Sequence, residues 1–313
     1  MHKVISFLIR ICISAGILFF LLKSVDIDNI IESVLHINKS ILSLVLLLIL
    51  LIYFIGFLRW RMLLTGLGLS VSWFLIFRSF CIGYFFNLFF PSTIGGDLIR
   101  GIDLGLRIQN TKRVAASLIL DRLSGYSALA CVCLLALLLG IRIIADTAVF
   151  IALGIILALL AAILALLFNN FLFSRCSKFL RFFGRAGQAL CSLHYEIYNF
   201  RHQKRIIIKN LAYSFIVQSI MPLTFYLIAV ALGVKIRPIY FFILVPIITA
   251  ISALPFSVSG LGLREAGSMY FFTKVGMPAE TALAVAFLSF AIIFLFGLAG
   301  GIIYVFTFSY RRL

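Results

Sequence analysis

Apolar segments at about residues 4–22, 41–58, 72–90, 114–139, 148–168, 211–232, 239–255 and 281–308 set the terms on which this chain can fold. Each is close to the ~20 residues that carry a helix across a bilayer. In lipid every backbone N–H and C=O must be satisfied internally, so segments of this kind become helices. With 64% hydrophobic and 12% charged residues, no stretch is left over for a soluble domain of useful size. The reading is an all-α, polytopic integral membrane protein, with residues 1–313 forming one transmembrane domain. Segment 4–22 contains Arg10 and is not followed by an A-x-A-like site, so a retained helix is expected there rather than a cleaved signal peptide.

Two of the segments end in related sequences. The first continues Asn87…Pro91-Ser92…Gly95-Gly96-Asp97…Arg100, the second Pro255…Ser257…Ser259-Gly260…Gly262…Arg264-Glu265. Each places a helix-breaking Pro-Ser-Gly run, then an arginine and a carboxylate, at the end of an apolar stretch. Unwound backbone survives in a membrane only where protein or a wet cavity covers it, and paired broken segments in two halves point to a transport site. Coincidence is the alternative, because glycine and proline are common in membrane helices.

Charge distribution orders the topology. The net charge of +17 gathers at segment ends rather than on one continuous face, which fits orientation and anionic headgroups and argues against nucleic-acid binding. If both motif segments are re-entrant, six spans put 59–78, 100–113, 169–210 and 309–313 on one side, and most Lys and Arg with them. That side is then cytoplasmic. The expectation is six transmembrane helices plus two re-entrant broken helices, with halves 1–168 and 169–313 related by inversion. Within 169–210, Arg175, Lys178, Arg181 and Arg185 alternate with Phe173, Cys176, Leu180 and Phe183, as in a basic amphipathic interfacial helix. A plain connector competes after Glu196. Arg59-Trp60-Arg61 reads as a headgroup-level end of segment 41–58, and Gly297 and Gly301 as a place where another helix comes close.

Asp121 and Arg122 lie several residues inside segment 114–139. Charges at such depth cost roughly 2.5–3.5 kcal/mol each on insertion scales and face partners or a wet cavity. Adjacent helical residues point apart, so each should seek its own partner: Asp121 with Arg100 or Arg264, Arg122 with Asp97, Glu265 or a lipid phosphate. A charge network that merely fixes helix register produces the same pattern. His194 and His202 have no companions at metal-ligand spacing and read as surface residues, and the six cysteines form no C-x-x-C pair. No cofactor or metal is called for.

Asn87…Pro91-Ser92…Gly95-Gly96-Asp97…Arg100, then Ala115-Ala116-Ser117…Asp121-Arg122, then Leu254-Pro255…Ser259-Gly260…Gly262…Arg264-Glu265-Ala266 with Gly276, together resemble the lysylphosphatidylglycerol synthase transmembrane-region family, also called flippase-like domain proteins. The resemblance spans nearly the whole chain. It implies a multi-pass protein of a prokaryotic cytoplasmic membrane that moves or handles a lipid. In full synthases this region precedes a soluble aminoacyl-transferase domain, whereas this sequence runs to Leu313 just after its last span, so transferase activity is not expected of it.

Three function classes follow. A translocator of a polar-headgroup lipid, phospholipid or aminoacyl-phospholipid, ranks first, because broken helices and intramembrane charges suit a headgroup crossing an apolar barrier. An integral-membrane lipid-modifying enzyme ranks second; Asp97, Asp121 and Glu265 could act as acids or bases, yet no metal cluster, nucleotide loop or Ser-His-Asp pattern accompanies them. A membrane partner of a separate lipid-modifying transferase ranks third. The substrate-binding and translocation candidates are Asn87, Pro91, Ser92, Gly95, Gly96, Asp97, Arg100, Asp121, Arg122, Pro255, Ser259, Gly260, Gly262, Arg264 and Glu265. Expected partners are membrane lipids, anionic or aminoacylated, with a homo-oligomer or a soluble enzyme left open and no nucleic acid.

Overall fold

A computed structural model describes residues 2–90, 94–140, 146–169, 171, 173–175, 184–254 and 256–309, with backbone alone at 2–11, 94, 185, 186, 308 and 309. The candidates Pro91, Ser92 and Pro255 lie outside the described residues, as do Lys178 and Arg181 of the basic stripe. The described secondary structure is helical: α1 His2–Lys23, α2 Ile27–Leu35, α3 Lys39–Gly66, α4 Trp73–Asn87, α5 Ile94–Arg107, α6 Thr111–Gly140, α7 Thr147–Phe168, α8 Gly184–Asn199, α9 Lys204–Ala231, α10 Pro238–Ser252, α11 Leu263–Thr273 and α12 Ala279–Ser309. The all-α polytopic expectation holds. Helices α3, α6, α7, α9 and α12 are each long and apolar enough to cross a bilayer. Half of the most apolar window of α6 is buried inside the protein, against 11% for α7, which makes α6 central and α7 peripheral.

The two motif segments are built differently from these spans. Helices α4 and α10 each have 15 residues, a rise of about 22 Å that falls short of a ~30 Å hydrocarbon core. Each is followed by a second short helix that doubles back. Ser79 donates to Asp103 at 2.6 Å, and Gly83 and Asn87 meet Gly96, so α4 and α5 run antiparallel. Phe241 packs on Phe272, Ile248 on Gly267 and Ser252 on Gly260, so α10 and α11 do the same. Both broken segments are therefore helical hairpins.

Contacts along the long helices place the hairpins at opposite ends of the bundle. Helices α3 and α9 are antiparallel: Gly66 lies beside Ile206, Arg59 reaches Ser214, and the Asn38 N–H donates to the Ala231 carbonyl. The α4–α5 hairpin opens toward the end that holds Gly66 and Ile206, here the basic end; the α10–α11 hairpin opens toward the end that holds Asn38 and Ala231. Their tips touch in between, where the Ser259 N–H donates to the Phe90 carbonyl at 3.2 Å. Helix α1 braces the second tip, accepting the Val258 N–H on the Ser14 hydroxyl at 3.0 Å.

Small residues allow these close approaches. A Cβ on Gly300 would stand 2.6 Å from the Cys81 carbonyl, and Gly297 and Gly301 face Leu88 and Phe85, so the helix that comes close to this glycine face of α12 is α4. Two readings need correction. Helix α3 does not end at Arg59-Trp60-Arg61 but continues to Gly66, because Met62, Leu63 and Leu64 prolong its apolar run. Trp60 is fully buried, donating its indole N–H to Ser117 at 3.0 Å. His194 is likewise buried, stacked on Phe173, because α8 tucks Ile197 and its neighbour Phe200 against Leu63 and Leu120.

Candidate functional site

The hairpin tips and α3, α6, α9 and α12 surround a cavity of about 310 Å³. Asn87, Asp97, Arg100, Asp121, Arg122, Ser259 and Arg264, all singled out from sequence, line it. Gly95 and Gly96 form the buried first turn of α5, and Gly96 cannot carry a Cβ without running into the Gly83 carbonyl. Its N–H is received by the Asn87 side chain at 2.8 Å, which fixes the return of the chain after α4. Across the tip contact, Ser259, Gly260 and Gly262 take positive φ values of 53°, 76° and 86°, a conformation glycine adopts without penalty. The Glu265 carboxylate then accepts the Gly262 N–H at 2.6 Å and starts α11.

Charge in the cavity is arranged as a chain of shared ions. Asp121 on α6 accepts from Arg59 of α3 at 2.7 Å and from Arg100 of α5 at 3.1 Å. Arg100 also reaches Asp97 at 2.9 Å, and Asp97 pairs with Arg122. Asp121 and Arg122 thus do point to different partners, as their adjacency on a helix requires. The Arg100 guanidinium lies over the Trp60 ring at 4.6 Å, which holds its plane. Of the two partners expected for Asp121, Arg100 is the one that meets it; Arg264 binds its own neighbour Glu265, which is fully buried, and sits over Phe290 at 4.7 Å.

The basic-end loop assignment of several arginines also gives way to burial. Arg78 and Arg100 are each 4% exposed. Arg78 bonds Thr307 of α12 at 2.8 Å and Asp103 at 3.4 Å, and Arg107 reaches the same Asp103 at 3.0 Å. Arg264, placed on the outer side by segment counting, is 9% exposed. Sequence reasoning passed over Arg59, Tyr84, Tyr126 and Gln218, which also line the cavity. Gln218 was visible as a lone amide within segment 211–232; its side chain donates to the Gly125 carbonyl at 3.3 Å.

A family model described as "Lysylphosphatidylglycerol synthase TM region" matches residues 7–301. The chain belongs to that family. It is therefore a multi-pass membrane protein related to lipid metabolism, and membrane lipids are its natural partners. Among curated proteins, no match is found.

Proposed function

We propose that this protein is a flippase-like translocator that carries the polar headgroup of a lipid across the membrane, with halves 1–168 and 169–313 acting as inverted repeats. One observation carries the reading: two short hairpins open toward opposite ends of the bundle and meet tip to tip at a charged cavity. That is the plan in which a central site is reached from either side in turn. The order of elements supports the repeat, since a long helix, a short hairpin and a long helix occur twice, as α3 to α6 and as α9 to α12, with α3 and α9 antiparallel. Both hairpins are then re-entrant, and the positive-inside rule makes the basic end cytoplasmic. A prokaryotic cytoplasmic membrane is the setting we propose for it, in keeping with the family.

The exposed surface fits a mechanism in which acyl chains stay in lipid. Leu98, Ile102 and Leu106 form an exposed apolar stripe along α5, while Asp97, Arg100, Asp103 and Arg107 occupy its inward side. At the tips, Phe89 and Phe256 are at least half exposed, so apolar groups flank the cavity where the chains would pass. Reconstitution tests the reading. Purified protein in vesicles should move a headgroup-labelled phospholipid between leaflets without changing its chemistry. A new lipid species would instead mark an enzyme.

A further inference from the structure

Among the described residues, the carboxylate oxygens of this site are all engaged. In Asp97, Oδ1 takes Arg100 at 2.9 Å and Oδ2 takes Arg122. In Asp121, Oδ1 takes Arg59 at 2.7 Å and Oδ2 takes Arg100 at 3.1 Å. In Glu265, Oε1 takes Arg264 and Oε2 takes the Gly262 N–H. Donors are in surplus instead. The Nε–H of Arg100, a residue that lines the cavity, is itself buried with no acceptor among the described residues, and a guanidinium carries only donors.

Charge points the same way. Four guanidiniums, of Arg59, Arg100, Arg122 and Arg264, stand against three carboxylates, of Asp97, Asp121 and Glu265, which leaves the site one net positive charge, with Arg122 at its part-exposed edge. Charge partly withdrawn from water gains from a counter-ion. A ligand that brings acceptors and negative charge completes the site.

Building on the translocator reading, we infer that the site selects a net-anionic phosphate-ester headgroup over a net-neutral or cationic, amine-bearing one. The cavity of about 310 Å³ has room for a phosphate and a small alcohol, and it is open on one side. Arg100 and Arg264 then approach the phosphate from the two hairpins, and Arg122, whose side chain is 34% exposed, stands at the rim.

Binding to detergent-purified, full-length protein tests this with short-chain phosphatidate, phosphatidylglycerol, phosphatidylethanolamine, lysyl-phosphatidylglycerol and inorganic phosphate as probes. Phosphatidate and phosphatidylglycerol should bind at least about tenfold more tightly than the two amine-bearing lipids, the scale of one charge-assisted hydrogen bond. Arg122→Gln should weaken the anionic lipids about tenfold and phosphatidylethanolamine by clearly less. Equal or tighter binding of lysyl-phosphatidylglycerol overturns the inference, as does an equal loss for every lipid in Arg122→Gln. Inorganic phosphate binding as well as the anionic lipids would overturn the lipid headgroup as its source. The lipid panel needs no variant, so it decides even if Arg122→Gln fails to fold. Anionic preference without movement in vesicles would defeat the transport reading alone; movement with a preference for the cationic lipid would defeat this one alone.

Discussion

In the α4–α5 hairpin, Arg100 reaches beyond its own hairpin to Asp121 of α6, which also holds Arg59 of α3, and Asp97 reaches Arg122 of α6. In the α10–α11 hairpin, Arg264 pairs with the adjacent Glu265, and Glu265 in turn caps its own helix. The bases differ in the same sense. The first is pinned by the part-buried Arg78–Asp103–Arg107 group and by Thr307 of α12, the second by a more exposed pair between Lys274 and Asp146. Ion pairs shared among helices couple their positions, and ion pairs within one element leave it free to shift as a unit. The first hairpin is part of the frame, and the second is the element suited to move during a transport cycle.

The largest expected effect breaks the shared network. Asp121→Asn removes the anion that the buried Arg100 and the part-buried Arg59 share, and stranding a buried charge costs about 3–5 kcal/mol. Hydrogen exchange should quicken in α3, α5 and α6 together, and lipid movement should stop. If exchange quickened in α5 alone, the coupling would be wrong. Next comes Gly96→Ala, which forces a methyl into the Gly83 carbonyl and spreads the first hairpin; overpacking of this kind costs up to about 3 kcal/mol. A melting temperature unchanged from wild type would show that the α4–α5 contact is looser than described.

Glu265→Gln should act more locally. The Gln carbonyl can still receive the Gly262 N–H while Arg264 loses its charged partner, a loss of about 2 kcal/mol for a hydrogen bond to a charge. Faster exchange should be confined to residues 252–273. Spread into α6 would mean that the second hairpin is tied to the frame as firmly as the first.

How much of this was legible in the sequence depended on the range of each signal. The helix breaks after Asn87 and after Ser252 are announced by local chemistry, the Pro-Ser-Gly runs. Asp121 and Arg122 announced themselves because charge inside an apolar run has few interpretations. Arg59 did not, since at the apparent end of a run an arginine also suits the headgroup level, and its partner Asp121 is 62 residues away. Arg78 and Asp103 were hidden for the same reason: they satisfy each other across a hairpin whose pairing no one-dimensional pattern specifies. His194 sits in a helix of mixed polarity, and its burial comes from where α8 docks rather than from its neighbours in sequence.

The smallest effect concerns the exposed latch at the base of the second hairpin. The Lys274 ammonium hydrogen-bonds Asp146 at 2.6 Å and Tyr270 at 2.7 Å. Its hydrogen bond to Lys274, with the Ala148 N–H, holds the Asp146 carboxyl below its usual 3.8. The bonds to Asp146 and Tyr270 raise the Lys274 ammonium above its usual 10.5. For a depressed carboxyl, the linked stability is present above the unfolded value and lost as pH falls through the folded one; for a raised ammonium, it is present below the unfolded value and lost as pH rises through the folded one. The pair therefore contributes between these limits, with a flat maximum around neutrality. Because both groups are solvent-exposed, the contribution is small and screened by salt. The melting difference between wild type and Lys274→Met should be flat from about pH 5 to 9, shrink below about pH 4, and diminish with added salt. A weak, salt-sensitive tie is what a moving hairpin needs at its base. A large, salt-insensitive difference would make the second hairpin as fixed as the first and remove the asymmetry on which its motion rests.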